Sequence, residues 1–401
     1  MKKLFVIMLA AMSFAACVND DAYDLDYFTQ NYGNNGKDTP ADSTATDSTI
    51  VAEPDTFYVN IAYNGNTASL TGDVDKVTIS RNDADVIITS TLTKYLQLTL
   101  NGTTTDGSLL VYSQAKYGLV LDGVTIANQR GPAINNQCSK ALYLTLADGT
   151  ENTLTDGTDY TDTPINSEGK AIDQKATLFS EGQIYFQGTG SLTVNGNAKN
   201  GIASDDYIVF EQGTISVNVS STGSNGVKVN DGLTINGGTL TIGVTADGAR
   251  GIRSESYTTI TGGTTTITTK GDCEIKTTDE GVDDASSAAG IKCDSLFSMS
   301  GGELAITSSG DGGKGINCSQ NVEVSGGTLT ITTTGDNEDG KPKGIKSDTG
   351  IIVSGGSVSV SVEKSWACDN GSDSEDPTDR VTVQGNPKTC SLAKRKVLIN
   401  F

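Results

Sequence analysis

Beyond residue 200 the apolar positions come in short alternating bursts, as in Leu240 and Ile242, Leu304 and Ile306, Leu329 and Ile331, and Val358 and Val360. Alternation with period two means a strand with one face buried. The bursts belong to a repeat whose units open at Gly201, Gly226, Gly251, Gly290, Gly315 and Gly344 and carry a Gly-Gly pair midway, such as Gly262-Gly263. The commonest period is 25 residues, with longer intervals of 39 before Gly290 and 29 before Gly344, and insertions in a stacked repeat belong in turns. Three short strands per period cannot bury their inner faces alone, whereas coiling each period onto the last buries one continuous interior. The pattern therefore predicts an all-β chain, a right-handed parallel β-helix of roughly a dozen coils, with the Gly pairs supplying positive φ at the corners.

Earlier segments fit less regularly: Val86 to Ile88, Leu96 to Leu100, Leu119 to Leu121, Leu142 to Leu146, Ile184 to Phe186 and Leu192 to Val194 are strand-like and read as degenerate coils. The solenoid is expected over 56–364, as a rod of roughly 55–60 Å at a strand spacing near 4.8 Å. After Lys364 the pattern fades, and 365–401, with Trp366, an acidic stretch and Lys394-Arg395-Lys396, reads as a cap over an otherwise exposed strand edge. Residues 1–16 have the layout of a secretory signal, and Ala15-Ala16-Cys17 resembles the lipobox of bacterial lipoproteins, which implies lipidation at Cys17. Val18-Asn19-Asp20-Asp21 is similar to the acidic tag that sends some of these lipoproteins to the cell surface, and 17–55 is too polar to be more than a tether. The expectation is an outer-membrane lipoprotein exposed at the surface, monomeric, with nothing after the signal long enough to span a membrane.

Composition narrows the chemistry. Among 401 residues, 28 Lys and Arg stand against 49 Asp and Glu, a net charge of −21 that disfavours nucleic acid and anionic membranes as partners. There is no His, which removes Ser-His-Asp systems, His zinc sites and imidazole acid–base chemistry. Aromatic residues are few and read as out of register, so an aromatic sugar platform is a less attractive expectation.

In a solenoid, equivalent positions one period apart stand about 4.8 Å from each other. Asp247, Asp272, Asp311 and Asp336 share one such position, and neighbours would repel by about 1 kcal/mol in water-like surroundings. Calcium is the natural neutraliser, because hard cations take clustered carboxylates. The long interval adds Glu274, Asp279, Glu280, Asp283 and Asp284 beside Asp272. The plainer alternative is turn chemistry, each Asp bonding its own backbone. A second column holds Lys228, Arg253, Lys292 and Lys346, and Arg250, Lys314 and Lys343 precede the opening Gly of their units. These cations form either a docking strip for an anionic polymer, with calcium bridging to the Asp column, or exposed charge ladders paired with Asp205, Glu255, Asp294 and Asp348. Cys293 and Cys318 should stack, as a disulfide or as thiols; Cys368 and Cys390 are the better candidates to pair. Trp366 reads as a core plug rather than a sugar platform.

The ordered series Gly131-Pro132-Ala133-Ile134, Leu146 through Leu154, Phe179-Ser180-Glu181-Gly182, Gly201-Ile202-Ala203-Ser204-Asp205-Asp206 and the later Gly-Gly-Thr units resembles bacterial β-helical carbohydrate-binding domain proteins, related in fold to pectate lyases. The resemblance covers about 75–362. It implies calcium-dependent binding of plant cell-wall polysaccharide, acidic pectin-type chains above all, without established catalysis. Two alternatives stay open: a calcium-dependent polysaccharide lyase with Lys292 or Arg253 as the base, and an adhesin or structural spacer.

Overall fold

The computed structural model describes residues 56–401 apart from 167, 278–282, 287 and 337–339. The signal, Cys17 and the tether lie outside the described residues, as do Asp279 and Glu280. The rest is a parallel β-helix of about 11 turns. One turn shows its construction: a first strand Arg250–Ser254, a second Tyr257–Ile260 and a third Thr264–Thr269. Each pairs in parallel with its counterpart one period away, so Ile252 sits over Ile291 and Ile267 over Ile306. Inward Ile, Leu and Val are almost wholly buried from Val59 to Val362, and each contributes about 1.5–3 kcal/mol by leaving water. The degenerate coils obey the same register, Leu142 stacking on Ile184 and Leu192 on Ile215.

The repeated glycines have two different causes. At each Gly-Gly pair only the second residue takes positive φ, for example +72° at Gly263. The first is glycine because a Cβ there would collide with the carbonyl of the coil below, Asn236 in the case of Gly262. The opening Gly of each unit faces the interior: a Cβ on Gly251 would strike the Ile267 side chain of the third strand. The unit's most regular feature is thus a steric demand of a narrow interior.

Insertions and ends follow the same logic. The 39-residue interval puts a hairpin in a turn, Glu274–Thr277 antiparallel to Asp283–Ser286. At the C-terminus a hairpin, Thr389–Ala393 with Lys396–Asn400, lies antiparallel on the last third strand, Ser357–Val362, covering its edge. Trp366 is half-buried there with Arg380 and Lys394 over its ring, 3.9 and 4.6 Å from the centroid. The expected Cys368–Cys390 pair does not form: Cys368 is buried on a first strand, and Cys390 is exposed on the hairpin. Cys293 and Cys318 do stack, as thiols with their sulfurs 2.9 Å apart.

Candidate functional site

The basic residues singled out by spacing gather on the outer face of the first-strand sheet. Register places Ala203, Lys228, Arg253, Lys292, Asn317 and Lys346 in one column. A second column runs Asn225, Arg250, Ala289, Lys314 and Lys343. Both columns emerge together because the opening Gly and the following Ile or Val both turn inward. Crowding of like charge has electrostatic consequences. Burial and the neighbouring Arg253 lower the pKa of Arg250, and burial lowers that of Lys292 against the pull of Asp294. Lys314 is pushed down to about 8, chiefly by burial and by Lys346.

Carboxylates partly offset the strip. Lys228 reaches Glu255 of the next coil at 3.1 Å, Arg253 reaches Asp294 at 2.5 Å, Lys346 pairs with Asp348 at 2.8 Å and Lys343 with Asp369 at 2.7 Å. The paired-ladder arrangement is therefore present, with Lys292 also 3.8 Å from Asp294.

Asp247, Asp272, Asp311 and Asp336 also stack, in the turn that leads into the first strand. Their bonding differs from an ordinary Asp turn. Each carboxylate Oδ1 accepts the backbone N–H of the next Asp along the column: Asp247 from Asp272 at 2.9 Å, Asp272 from Asp311 at 2.8 Å, Asp311 from Asp336 at 2.6 Å. The glycine before the last three is required by the same stacking, since a Cβ on Gly271, Gly310 or Gly335 would meet a carbonyl of the neighbouring coil. The ladder explains Gly-Asp sterically and uses one oxygen of each of the first three carboxylates, while Asp336 Oδ2 lies 3.9 Å from Lys364. Glu274 lies against Gly248 at the start of the inserted hairpin, and Asp283 and Asp284 are opposite Thr277 and Lys276 in its other strand. Among the described residues, the three carboxylates that converge to within 4.8 Å are others: Asp173, Glu181 and Asp205. Lys175 already bridges two of them, 2.6 Å from Asp173 and 2.5 Å from Asp205.

A shallow groove of about 390 Å³ lies at the upstream end of the cation strip, bounded by Lys175, Lys199, Lys228, Arg250, Arg253 and Glu255. Lys175 and Lys199 were not legible as site residues, because they stack one position ahead of the second column, where the regular coils carry Ser224 and Ala249 and no ladder of cations marks the place. Lys199 is held over the Tyr160 ring, 4.9 Å from its centroid, and donates to the Gln174 carbonyl at 2.7 Å.

A parallel β-helix with a cation-lined groove along its sheet is suited to long, repetitive anionic or polyhydroxylated ligands. Comparison with known proteins agrees. A family model described as "Carbohydrate-binding domain-containing protein" matches residues 82–273, 242–340 and 295–376, and the chain belongs to that family. A carbohydrate-binding domain-containing protein of Acetivibrio thermocellus is 32% identical over 136 residues, 33% of this chain and 44% of the relative, so the match spans less than half of that protein. A solved structure titled as the polysaccharide lyase-like protein from C. thermocellum, in a gadolinium derivative, superposes with a TM-score of 0.52 at 28% identity, covering 67% of this chain and 96% of the other.

Proposed function

We propose that the protein binds an acidic, pectin-type polysaccharide along the outer face of its first-strand sheet, without cleaving it, at the bacterial cell surface to which Cys17 tethers it. The observation that carries this reading is the pair of cation columns, in a chain whose overall charge is −21. A polyuronate presents carboxylates at regular intervals, and the columns present cations at the coil spacing. Lys228, Arg250, Arg253, Lys292, Lys314 and Lys346 are the proposed contacts, joined by Lys175 and Lys199 in the groove. Calcium fits as an assistant: the ladder uses Oδ1 of Asp247, Asp272 and Asp311 and leaves their Oδ2 atoms as hard donors, Asp336 ends the same column, Glu274 lies close by, and sugar carboxylates would complete such a shell. Asp279, Glu280, Asp283 and Asp284 remain proposed ligands from the inserted segment.

The test is retention on polygalacturonate with calcium and with chelator. Binding should fall at least tenfold in Lys228→Ala/Arg253→Ala and weaken with chelator. Wild-type protein that ignores polygalacturonate, or a double variant that binds as wild type, overturns the proposal.

One observation favours a second reading, a polysaccharide lyase. Lys292 is partly exposed on the strip and its pKa is lowered, as a base removing a sugar α-proton requires. Lys314, lowered further, is only 9% exposed: it can add charge beneath the strip's surface but is too enclosed to take a proton from a sugar ring carbon. Ultraviolet absorbance of an unsaturated uronate product, lost in Lys292→Ala, would establish the lyase reading; unchanged polymer leaves binding alone.

A further inference from the structure

The face of the second-strand sheet carries a feature that the sparse aromatic residues of the sequence made a less attractive expectation. Tyrosines from separate coils converge there. Tyr143 pairs in register with Tyr185, their rings stacked with centroids 5.2 Å apart and planes within 18°. Tyr207, from the next coil, meets Tyr185 edge to face at 5.8 Å, and the two hydroxyls hydrogen-bond. Tyr257, two coils beyond Tyr207 in the same column, leans back across the intervening Gly232. That position admits no side chain, because a Cβ on Gly232 would lie inside the Tyr257 ring. Gly118 does the same at the upstream end, where a Cβ would stand 2.6 Å from the Tyr95 hydroxyl oxygen. The glycines clear space for rings to lie along the sheet, and the result is one aromatic strip crossing several coils.

We propose that this strip is a second polysaccharide-binding surface, for an uncharged β-linked chain whose sugar rings present flat C–H faces to the tyrosines. It goes beyond the acidic-polymer site and does not depend on it, since the two lie on different sheets. Charge selects the occupant. Beside the tyrosines the outward positions are Val120, Thr145, Gln187, Val209, Thr234 and Thr259, all neutral. A polyuronate would find no cation among them, while a neutral sugar polymer loses nothing by leaving the −21 chain's cationic face aside. Tyr257 is 37% exposed and Tyr185 and Tyr207 are half-buried, so ring surface is open to a ligand, and Tyr143, 8% exposed, supports it from beneath. Aromatic rings offer large rigid contact area, and the phenolic hydroxyls offer hydrogen bonds to sugar hydroxyls. Membership of a carbohydrate-binding family makes a polysaccharide, rather than a protein, the occupant this surface fits.

The test measures binding of a soluble β-1,4-linked gluco-oligosaccharide by calorimetry in chelator and in raised salt, where the cation strip is silenced. Wild type should bind. Tyr207→Ala/Tyr257→Ala should lower affinity about tenfold, equivalent to about 1.4 kcal/mol. Tyr257→Phe, which keeps the ring, should stay within a few-fold of wild type and shows that the site, not the fold, has been changed. Lys228→Ala/Arg253→Ala should bind this probe as wild type does. The proposal is overturned by absence of binding, by unchanged affinity in the Tyr207/Tyr257 double variant, or by self-association of the chain that the double variant abolishes.

Discussion

Replacing Asp311 by Asn isolates what the carboxylate ladder does. Asp311 accepts the Asp336 N–H at 2.6 Å and donates its own N–H to Asp272 at 2.8 Å, so it has one charged neighbour on each side. At one-coil spacing each neighbour repels it by about 1 kcal/mol in water-like surroundings, about 2 kcal/mol for both. A Debye length of about 8 Å at physiological salt roughly halves that sum. Asn keeps the acceptor and loses only the charge assistance of the hydrogen bond, worth about 1 kcal/mol. Asp311→Asn should therefore stabilise by about 1 kcal/mol at low salt in chelator and be close to neutral at physiological salt. For a domain of this size that is a rise of about 1–2 °C in Tm. Asp311→Ala removes the acceptor as well and should lie about 1 kcal/mol below Asp311→Asn at every salt concentration. Calcium reverses the order: a ladder that binds the metal makes wild type gain more than the Asn variant, by about 2.7 kcal/mol at a hundredfold excess over Kd. Thermal unfolding across salt, with calcium and with chelator, reads all of this. Equal Tm values for wild type and Asp311→Asn under every condition would show that the stacked carboxylates neither feel one another nor hold a cation.

Other consequences are as direct. Lys314 has its pKa lowered in the folded chain to about 8, below the value of about 10.4 expected when unfolded, so the unfolded state binds more protons between those values and stability should rise as pH climbs from 8 to 10. Lys314→Met should be more stable than wild type at pH 7, with the difference shrinking toward pH 10 in denaturant titrations. Polygalacturonate binding, if it runs through the cation columns, should weaken steeply with ionic strength, and Lys228→Ala/Arg253→Ala should flatten that dependence; a salt-insensitive wild type would count against the strip. Among the described cysteines Cys390 is the exposed one, so a maleimide should label it within minutes in folded protein and reach Cys293, Cys318 and Cys368 only on unfolding, as peptide mapping would show. Gly315→Ala should cost about 1–3 kcal/mol, because its Cβ would press on Ile331 across the core; an unchanged Tm would mean that the interior has slack.

The columns were legible wherever the period was regular. From Gly226 to Lys346 a count of residues suffices, because Lys228, Arg253, Lys292 and Lys346 hold their register through insertions that bulge outward at turns. The tyrosine strip escaped the same count. Tyr143, Tyr185 and Tyr207 stand 42 and 22 residues apart, and Tyr207 occupies a different column from Tyr185 yet reaches it by leaning. Sequence spacing registers columns and is blind to side chains that cross between them. Glycine was the usable signal: Gly118 lies inside a strand and Gly232 opens one, neither takes the positive φ of a corner, and each has a neighbour's side chain lying over it. Lys175 was missed because it ends the insertion between Thr155 and Ala176, and Lys199 because its position carries Ser224 and Ala249 in the following coils. The Asp ladder was located by counting but its bonding was not, because nothing in Gly-Asp distinguishes a carboxylate that caps its own turn from one that reaches the next coil.

That distinction bears on which ladders are fold and which are function. A column whose members satisfy one another needs no ligand to explain it: the Asp Oδ1 atoms meet backbone N–H groups, and Cys293 meets Cys318. The cation strip is different. Lys228, Arg250, Arg253, Lys292, Lys314, Lys343 and Lys346 gather on one face of the first-strand sheet, with Glu255, Asp294, Asp348 and Asp369 pairing with some of them, in a chain with a large surplus of acids elsewhere. Folding alone would favour spreading those cations among the acids, since burial first and neighbouring cations second lower the pKa values of Arg250, Lys292 and Lys314. An anionic chain laid along the strip relieves that crowding, and the same bound chain should raise the pKa of Lys314. Titrating Lys314 by selectively labelled NMR with and without polygalacturonate therefore separates a strip built for a ligand from one that is merely tolerated: an unmoved pKa in the saturated complex would leave the cation cluster without a functional cause.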